Sequence, residues 1–231
     1  MGVRDVGTAD DYVSEGKMKL DTLIYPQSVA QDVIDTLREL VPDFDAIVPL
    51  TESVPGMFGL LEMNALGYAA TLAPKGSLFV ELGPYHGRST IILAGIAKRC
   101  GHEVVTIDNF SIQRMVPDPS TIIPSSVEII ERNVAPTGAN VRVIEGPSHV
   151  VPEGIGEVGL LFIDTDHRAE CLNRELDAWL PLMLPRSVIA LHDYCILYPD
   201  LIEVMNRRLG LSDEWRFVAL LDKLIVFWRT V

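Results

Sequence analysis

Apolar and polar positions repeat with two different periods along this chain. From Ser28, the run SVAQDVIDTLRELV places Val29, Val33, Ile34, Leu37 and Val41 on one helical face. Ser28 is the expected N-cap, and Pro42 ends the segment. A second helix is expected over 56–72 (GMFGLLEMNALGYAATL), closed by the turn Pro74-Lys75-Gly76. From Ser77 short apolar runs appear: LFVEL (78–82), EVVTID (103–108), VRVIEG (141–146), VGLLFID (158–164) and SVIALHD (187–193). Each has strand length, and VGLLFID is nearly all apolar, as a strand buried on both faces should be. Helical stretches separate them: RSTIILAGIAKRC (88–100), 125–133, 169–182 and 199–209. Alternating strands and helices predict a parallel sheet covered on both faces.

The end of the chain breaks the alternation. WRFVALL (215–221) and LIVFWRT (224–230) are separated only by Asp222-Lys223. A parallel crossover needs about a dozen residues, so these two strands form an antiparallel hairpin. Residues 1–27 show weak periodicity and no repeat.

Composition narrows the function classes. The chain has 231 residues and is 48% hydrophobic, enough for one α/β domain with a substantial core. Its formal charge of −13 and the lack of a Lys/Arg cluster argue against nucleic acid and anionic membranes as partners. No apolar run approaches the roughly 20 residues a bilayer span needs. The polar, acidic first twenty residues are unlike a secretory signal. Cys100, Cys171 and Cys195 lie far apart, without metal-ligand spacing. They read as reduced, mostly buried thiols of a cytoplasmic protein.

The strongest chemical signal is Glu81-Leu82-Gly83-Pro84-Tyr85-His86-Gly87-Arg88-Ser89-Thr90, between the first strand and its helix. In doubly wound sheets ligands bind there, beyond the carboxyl ends of the strands. Gly83 and Gly87 permit a tight turn, and helix N-terminal amides face the ligand. The spacing is GxxxG rather than GxGxxG, which weakens a dinucleotide reading. Asp108 ends the next strand, where a carboxylate can accept both ribose hydroxyls of an adenosyl group. A Gly-rich turn followed about twenty residues later by an acid is common to nucleotide and adenosyl sites.

VELGPYHGRST, VVTIDNF, FIDTDHRAECLNRELDAWLPLMLPRSVIALHDY and the closing hairpin together resemble the class I S-adenosylmethionine-dependent methyltransferases. More narrowly they resemble its small-molecule O-methyltransferase group, which includes sugar and antibiotic O-methyltransferases and cephalosporin-hydroxylase-like proteins. The likeness spans roughly residues 55–230. It implies a Rossmann-like three-layer α/β sandwich, with a seven-stranded, mostly parallel sheet ending in the hairpin. Residues 55–231 would form the S-adenosylmethionine-binding domain and residues 1–54 an N-terminal helical extension or lid. The implied activity is O-methyl transfer to a small-molecule acceptor.

The resemblance also implies roles. Glu81, Gly83, Tyr85 and Gly87 would wrap the methionine portion, with Glu81 accepting from its amino group. Ser89 and Thr90 would donate to its carboxylate. Asp108 would hold the ribose, with Asn109 beside it, and Ser148, within Gly146–His149, would flank the adenine. Asp164 ends the fourth strand, and His192 and Asp193 end the fifth. Adjacent strand ends lie about 5 Å apart, so these groups can converge. In metal-dependent relatives the matching positions hold a divalent ion. Asp164 and Asp193 suit Mg²⁺, whereas His192 favours Mn²⁺, Fe²⁺ or Zn²⁺. The candidate bases are His167, by its intrinsic pKa, and Asp166. His86 lies in the cofactor turn, and His102, ahead of a strand, is expected to face solvent. Two positions depart from the family pattern: Pro185-Arg186-Ser187 replaces a glycine pair, and Thr165 replaces a glycine. The Pro-rich segment 111–124 reads as a substrate-covering loop or an ordinary surface loop. The 28–41 helix reads as a lid or a homo-oligomer face. A nicotinamide-dependent oxidoreductase and a non-catalytic adenosyl-binding protein are the alternatives.

Overall fold

The computed structural model describes residues 27–111 and 123–231. Residues 1–26, and the 112–122 portion of the expected covering loop, lie outside the described residues. Helix α1 (Gln27–Leu40) begins one residue before the expected cap, so Ser28 lies in its first turn. Short 3₁₀ turns at Phe44–Ala46 and Val48–Thr51 lead to α2 (Leu60–Leu72). Then follow β1 (Leu78–Leu82), α3 (Arg88–Cys100), β2 (Glu103–Asp108), α4 (Val127–Val134) and β3 (Val141–Glu145). The chain continues through β4 (Val158–Ile163), α5 (Ala169–Trp179), β5 (Met183–Leu191) and α6 (Pro199–Met205). β6 (Trp215–Leu221) and β7 (Leu224–Arg229) close it.

The seven strands form one sheet in the order β3-β2-β1-β4-β5-β7-β6. β1 to β5 are parallel, and β7 is antiparallel to both β5 and β6. Asp222 turns the hairpin with φ 53°. Side chains alternate between two cores because strand residues point to opposite faces. Phe79, Leu160 and Phe162 face a core shared with α1, α2 and α3, which includes Val33, Leu37 and Leu66. Val80, Leu161 and Ile163 face a second core with α5 and α6, around Leu176, Trp179 and Met205.

The structure corrects three local expectations. β5 starts at Met183, not Ser187, and the Pro185-Arg186 departure is absorbed as a bulge. Arg186 has φ 63°, and between the paired positions Val158–Met183 and Leu160–Val188 four residues of β5 oppose one of β4. His102 does not face solvent: it is 7% exposed, stacks on Phe79 at 4.2 Å and contacts the Ser77 carbonyl at 3.0 Å. Pairing of β1 with β2 draws the residue ahead of β2 under the sheet. The cysteines are free but not buried: Cys100 is exposed on the last turn of α3, and Cys171 and Cys195 are half-buried.

Candidate active site

The turn after β1 is welded to the neighbouring strand ends. Gly83 N donates to Ile107 O and Asp164 N donates to Leu82 O, both at 2.9 Å. Gly83 adopts φ 85°, and a Cβ there would stand 1.9 Å from the Asp164 carbonyl oxygen. Only glycine lets β1 pass that close to β4. Tyr85 also takes a left-handed conformation (φ 52°), and Gly87 (φ 88°) opens α3.

Glu81 lies beneath this turn, fully buried. Ser89 Oγ and Thr90 Oγ1 donate to its two carboxylate oxygens at 2.5 and 2.6 Å. These hydroxyls, expected from the sequence to meet a cofactor carboxylate, are directed at Glu81 instead. Burial pushes the Glu81 carboxyl up to about 7 against those hydrogen bonds. Asp108 faces the cleft. Its oxygens accept from Phe110 N at 2.7 Å and Tyr85 N at 3.3 Å. Burial raises its pKa, and these backbone donors oppose the shift. Asn109 Oδ1 caps Ser111 N at 2.9 Å, and Ser148 Oγ donates to Glu175 at 2.5 Å. Gly83, Tyr85, Asp108, Ser148, Asp164 and Asp166 all line one cleft of about 610 Å³.

The acidic and imidazole candidates gather at the ends of β4 and β5. Asp164, His167 and Asp193 offer ligand atoms that all lie within 4.8 Å of one another. His167 Nε2 lies 3.1 Å from Asp193 Oδ2, yet this buried nitrogen has no aligned hydrogen bond. The His167 ring stacks on Tyr198 at 3.9 Å. His192, 3% exposed, turns Nδ1 to Asp164 Oδ1 at 3.3 Å and Asp193 Oδ2 at 3.4 Å. Burial disfavours a charged His192 ring, but the surrounding carboxylates outweigh it and raise its pKa. Burial likewise opposes ionisation of Asp193, while its contacts with His167, His192 and Lys223 hold its carboxyl far below the usual range. Asp166 points to Arg168, whose guanidinium bonds to it through Nε at 2.8 and 2.7 Å and also through Nη2. Those hydrogen bonds lower the Asp166 pKa.

Two residues of this cluster escaped the sequence reading. Glu62, on α2, meets His192 Nε2 at 2.8 Å. Lys223, in the hairpin turn, donates to Asp193 Oδ1 at 2.8 Å. A signal for Glu62 existed: it is the lone acid in the otherwise uncharged run LLEMNALGYAATL. Lys223 had none, since a lysine in a tight turn is ordinary.

A doubly wound sheet with a glycine-hinged turn, a cleft-facing acid after β2 and an acidic cluster at β4 and β5 defines an adenosyl-site α/β domain. Residues 80–194 match the methyltransferase-domain family, which with the fold supports a class I S-adenosylmethionine-dependent methyltransferase. Solved structures share the fold at low identity. The O-methyltransferase NovP aligns with TM-score 0.62 and 15% identity, covering 89% of this chain and 99% of its own. CalS11, a TDP-rhamnose 3′-O-methyltransferase of calicheamicin biosynthesis, aligns with TM-score 0.53 and 17% identity, covering 88% and 93%. An rRNA methylase from Streptococcus thermophilus aligns with TM-score 0.53 and 12% identity, covering 77% and 100%.

Proposed function

We propose that this methyltransferase moves the methyl group of S-adenosylmethionine to a hydroxyl oxygen of a small-molecule acceptor. The observation that carries this is the single cleft running from Asp108 to Asp164 and Asp166, beside the His167–Asp193 pair. Asp108 holds the ribose hydroxyls, the Gly83–Gly87 turn wraps the methionine, and Ser148 flanks the adenine with Asn109 near the ribose. Glu81 anchors the turn from below through Ser89 and Thr90. NovP supports transfer to oxygen, and CalS11, a TDP-rhamnose 3′-O-methyltransferase, supports a small hydroxylated acceptor. The fold also serves RNA methylation, but a chain of charge −13 is a poor match for a polyanion. No helix among the described residues is long and apolar enough to cross a membrane. We place the protein in the cytoplasm, with residues 55–231 as the catalytic domain and 1–54 as its extension.

Transfer is an in-line displacement in which the acceptor oxygen bonds to the methyl carbon as the carbon–sulfur bond breaks. Positioning supplies much of the rate, and the hydroxyl proton must leave. His167 takes that proton at Nδ1, because Nε2 is buried against Asp193, which orients the ring. Asp166 is the poorer base, because Arg168 stabilises its charge.

The donor set also fits a divalent ion. Two carboxylates and a buried imidazole nitrogen without an aligned partner would hold Mn²⁺ better than Mg²⁺. The ligands would be Asp164, His167 and Asp193, with His192 turned toward Glu62 behind them. A bound ion would lower the pKa of the acceptor hydroxyl. His167 would then be a ligand and Asp166 the base.

The test is calorimetry with S-adenosylmethionine, then transfer of labelled methyl to a panel of sugars, phenols and catechols, with EDTA or Mn²⁺. Micromolar binding and label on a hydroxyl are expected, with His167→Ala slower by about 10²–10⁴-fold. Failure of the folded wild type to bind the cofactor under any metal condition refutes the proposal. Loss of transfer in EDTA, restored by Mn²⁺, selects the metal-assisted form.

A further inference from the structure

We infer that Glu62, outside the family-matched segment, is a positioning residue of the methyl-transfer site, fixing which nitrogen of the His192 ring meets Asp164 and Asp193. This rests on the reading above that the β4 and β5 ends form that site.

Glu62 is 2% exposed at the first turn of α2, and its two oxygens do different work. Oε2 accepts from Gly59 N at 2.6 Å and so caps its own helix. Oε1 lies 2.8 Å from His192 Nε2 and 3.9 Å from Lys223 Nζ. A carboxylate can only accept, so this contact requires a proton on Nε2. Nδ1 is then the nitrogen turned to Asp164 and Asp193. Phe58, one residue before the capped Gly59, lies tilted against the imidazole with ring centroids 5.2 Å apart. Rotation of the ring is therefore blocked on its face and fixed at its edge. Around metal-ligating histidines, a carboxylate that orients the imidazole from behind commonly contributes about 10–100-fold to a site's function, although it touches no substrate. The cap and the ring contact share one side chain, which ties the register of α2 to the orientation of His192.

The test is ¹⁵N NMR of histidine-labelled full-length protein at fixed neutral pH, with the His192 signals assigned through His192→Asn. In the wild type, Nε2 is expected in the protonated range. Glu62→Gln keeps an amide oxygen to cap Gly59 but turns a donor toward Nε2. It is expected to displace the Nε2 signal while changing S-adenosylmethionine affinity less than about twofold by calorimetry. An unprotonated wild-type Nε2 overturns the inference without needing any variant to fold. So do His192 signals that Glu62→Gln leaves in place, since a purely structural cap would not move them. Absence of cofactor binding in the wild type would count against the methyltransferase site itself, and the protonation result is read independently of it.

Discussion

Replacing Gly83 by alanine tests whether the cofactor turn depends on the close passage of β1 against β4. Two costs add at this position. An L-residue held at φ 85° loses about 1–2 kcal/mol to contact with its own backbone. The new Cβ would also lie 1.9 Å from Asp164 O and 2.8 Å from Asp164 C, both backbone atoms. Carbon–oxygen approaches in proteins begin at roughly 3.3 Å, so the two strand ends must part by more than about 1 Å. That movement disrupts the Gly83 N to Ile107 O and Asp164 N to Leu82 O bonds, each worth about 1 kcal/mol net. The expected destabilisation is about 3–5 kcal/mol, or on the order of 10 °C in Tm for a chain of this length. Gly87→Ala is the control. Its φ is 88°, but the Cβ would first meet the Ile130 Cγ2 methyl at 3.3 Å, a side-chain atom that can yield. Only the conformational cost of about 1–2 kcal/mol is expected there. Urea unfolding of both variants, with cofactor calorimetry, measures the difference. Equal destabilisation by the two substitutions would refute the claim that strand proximity, rather than φ, demands Gly83.

Asp108→Ala should weaken S-adenosylmethionine binding about 10–100-fold, the worth of hydrogen bonds to a charged acceptor, as read by calorimetry; unchanged affinity would remove Asp108 from the ribose site. Glu81 has its folded pKa raised from 4.5 to about 7, so the folded state binds the extra proton. Its contribution is therefore fully present below pH 4.5 and is lost as pH rises through 7, on the order of 3 kcal/mol in all. Glu81→Gln should flatten that slope in urea unfolding at pH 5 and pH 8, and an unaltered slope would show that Glu81 ionises freely in the fold. With an acceptor in hand, Glu62→Gln should lower kcat about 10–100-fold with KM unchanged; a KM effect alone would place Glu62 in acceptor binding instead.

Much of the architecture was readable along the chain. The run at 158–163 is a buried strand because only a two-sided sheet hides every residue of such a run, and 78–82 is buried beside it from Phe79 onward. Asp222-Lys223 forces antiparallel pairing because two residues cannot carry a crossover. Gly83, Gly87 and Asp108 mark the carboxyl end of the sheet, where the cleft lies, by their positions after β1 and at the end of β2. Where the reading failed, the deciding contact was remote. Ser89 and Thr90 sit at a helix start, which suggests a ligand, but burial turns both toward Glu81. His102 flanks a strand, which suggests exposure, but Phe79 of the neighbouring strand covers it.

The sequence by itself determined the order and kind of the elements, because helical and strand periods depend on near neighbours in the chain. It also located the glycine-hinged turn and the acids that end β2, β4 and β5. The tertiary structure alone decided which polar groups face one another. Glu62 and His192 are 130 residues apart. Lys223 reaches Asp193 only because β7 returns antiparallel beside β5 and Tyr194 N is held by Lys223 O at 2.9 Å. Such pairs depend on strand order and helix docking, where burial of the whole apolar surface selects the arrangement and leaves no periodic trace at the residues it brings together.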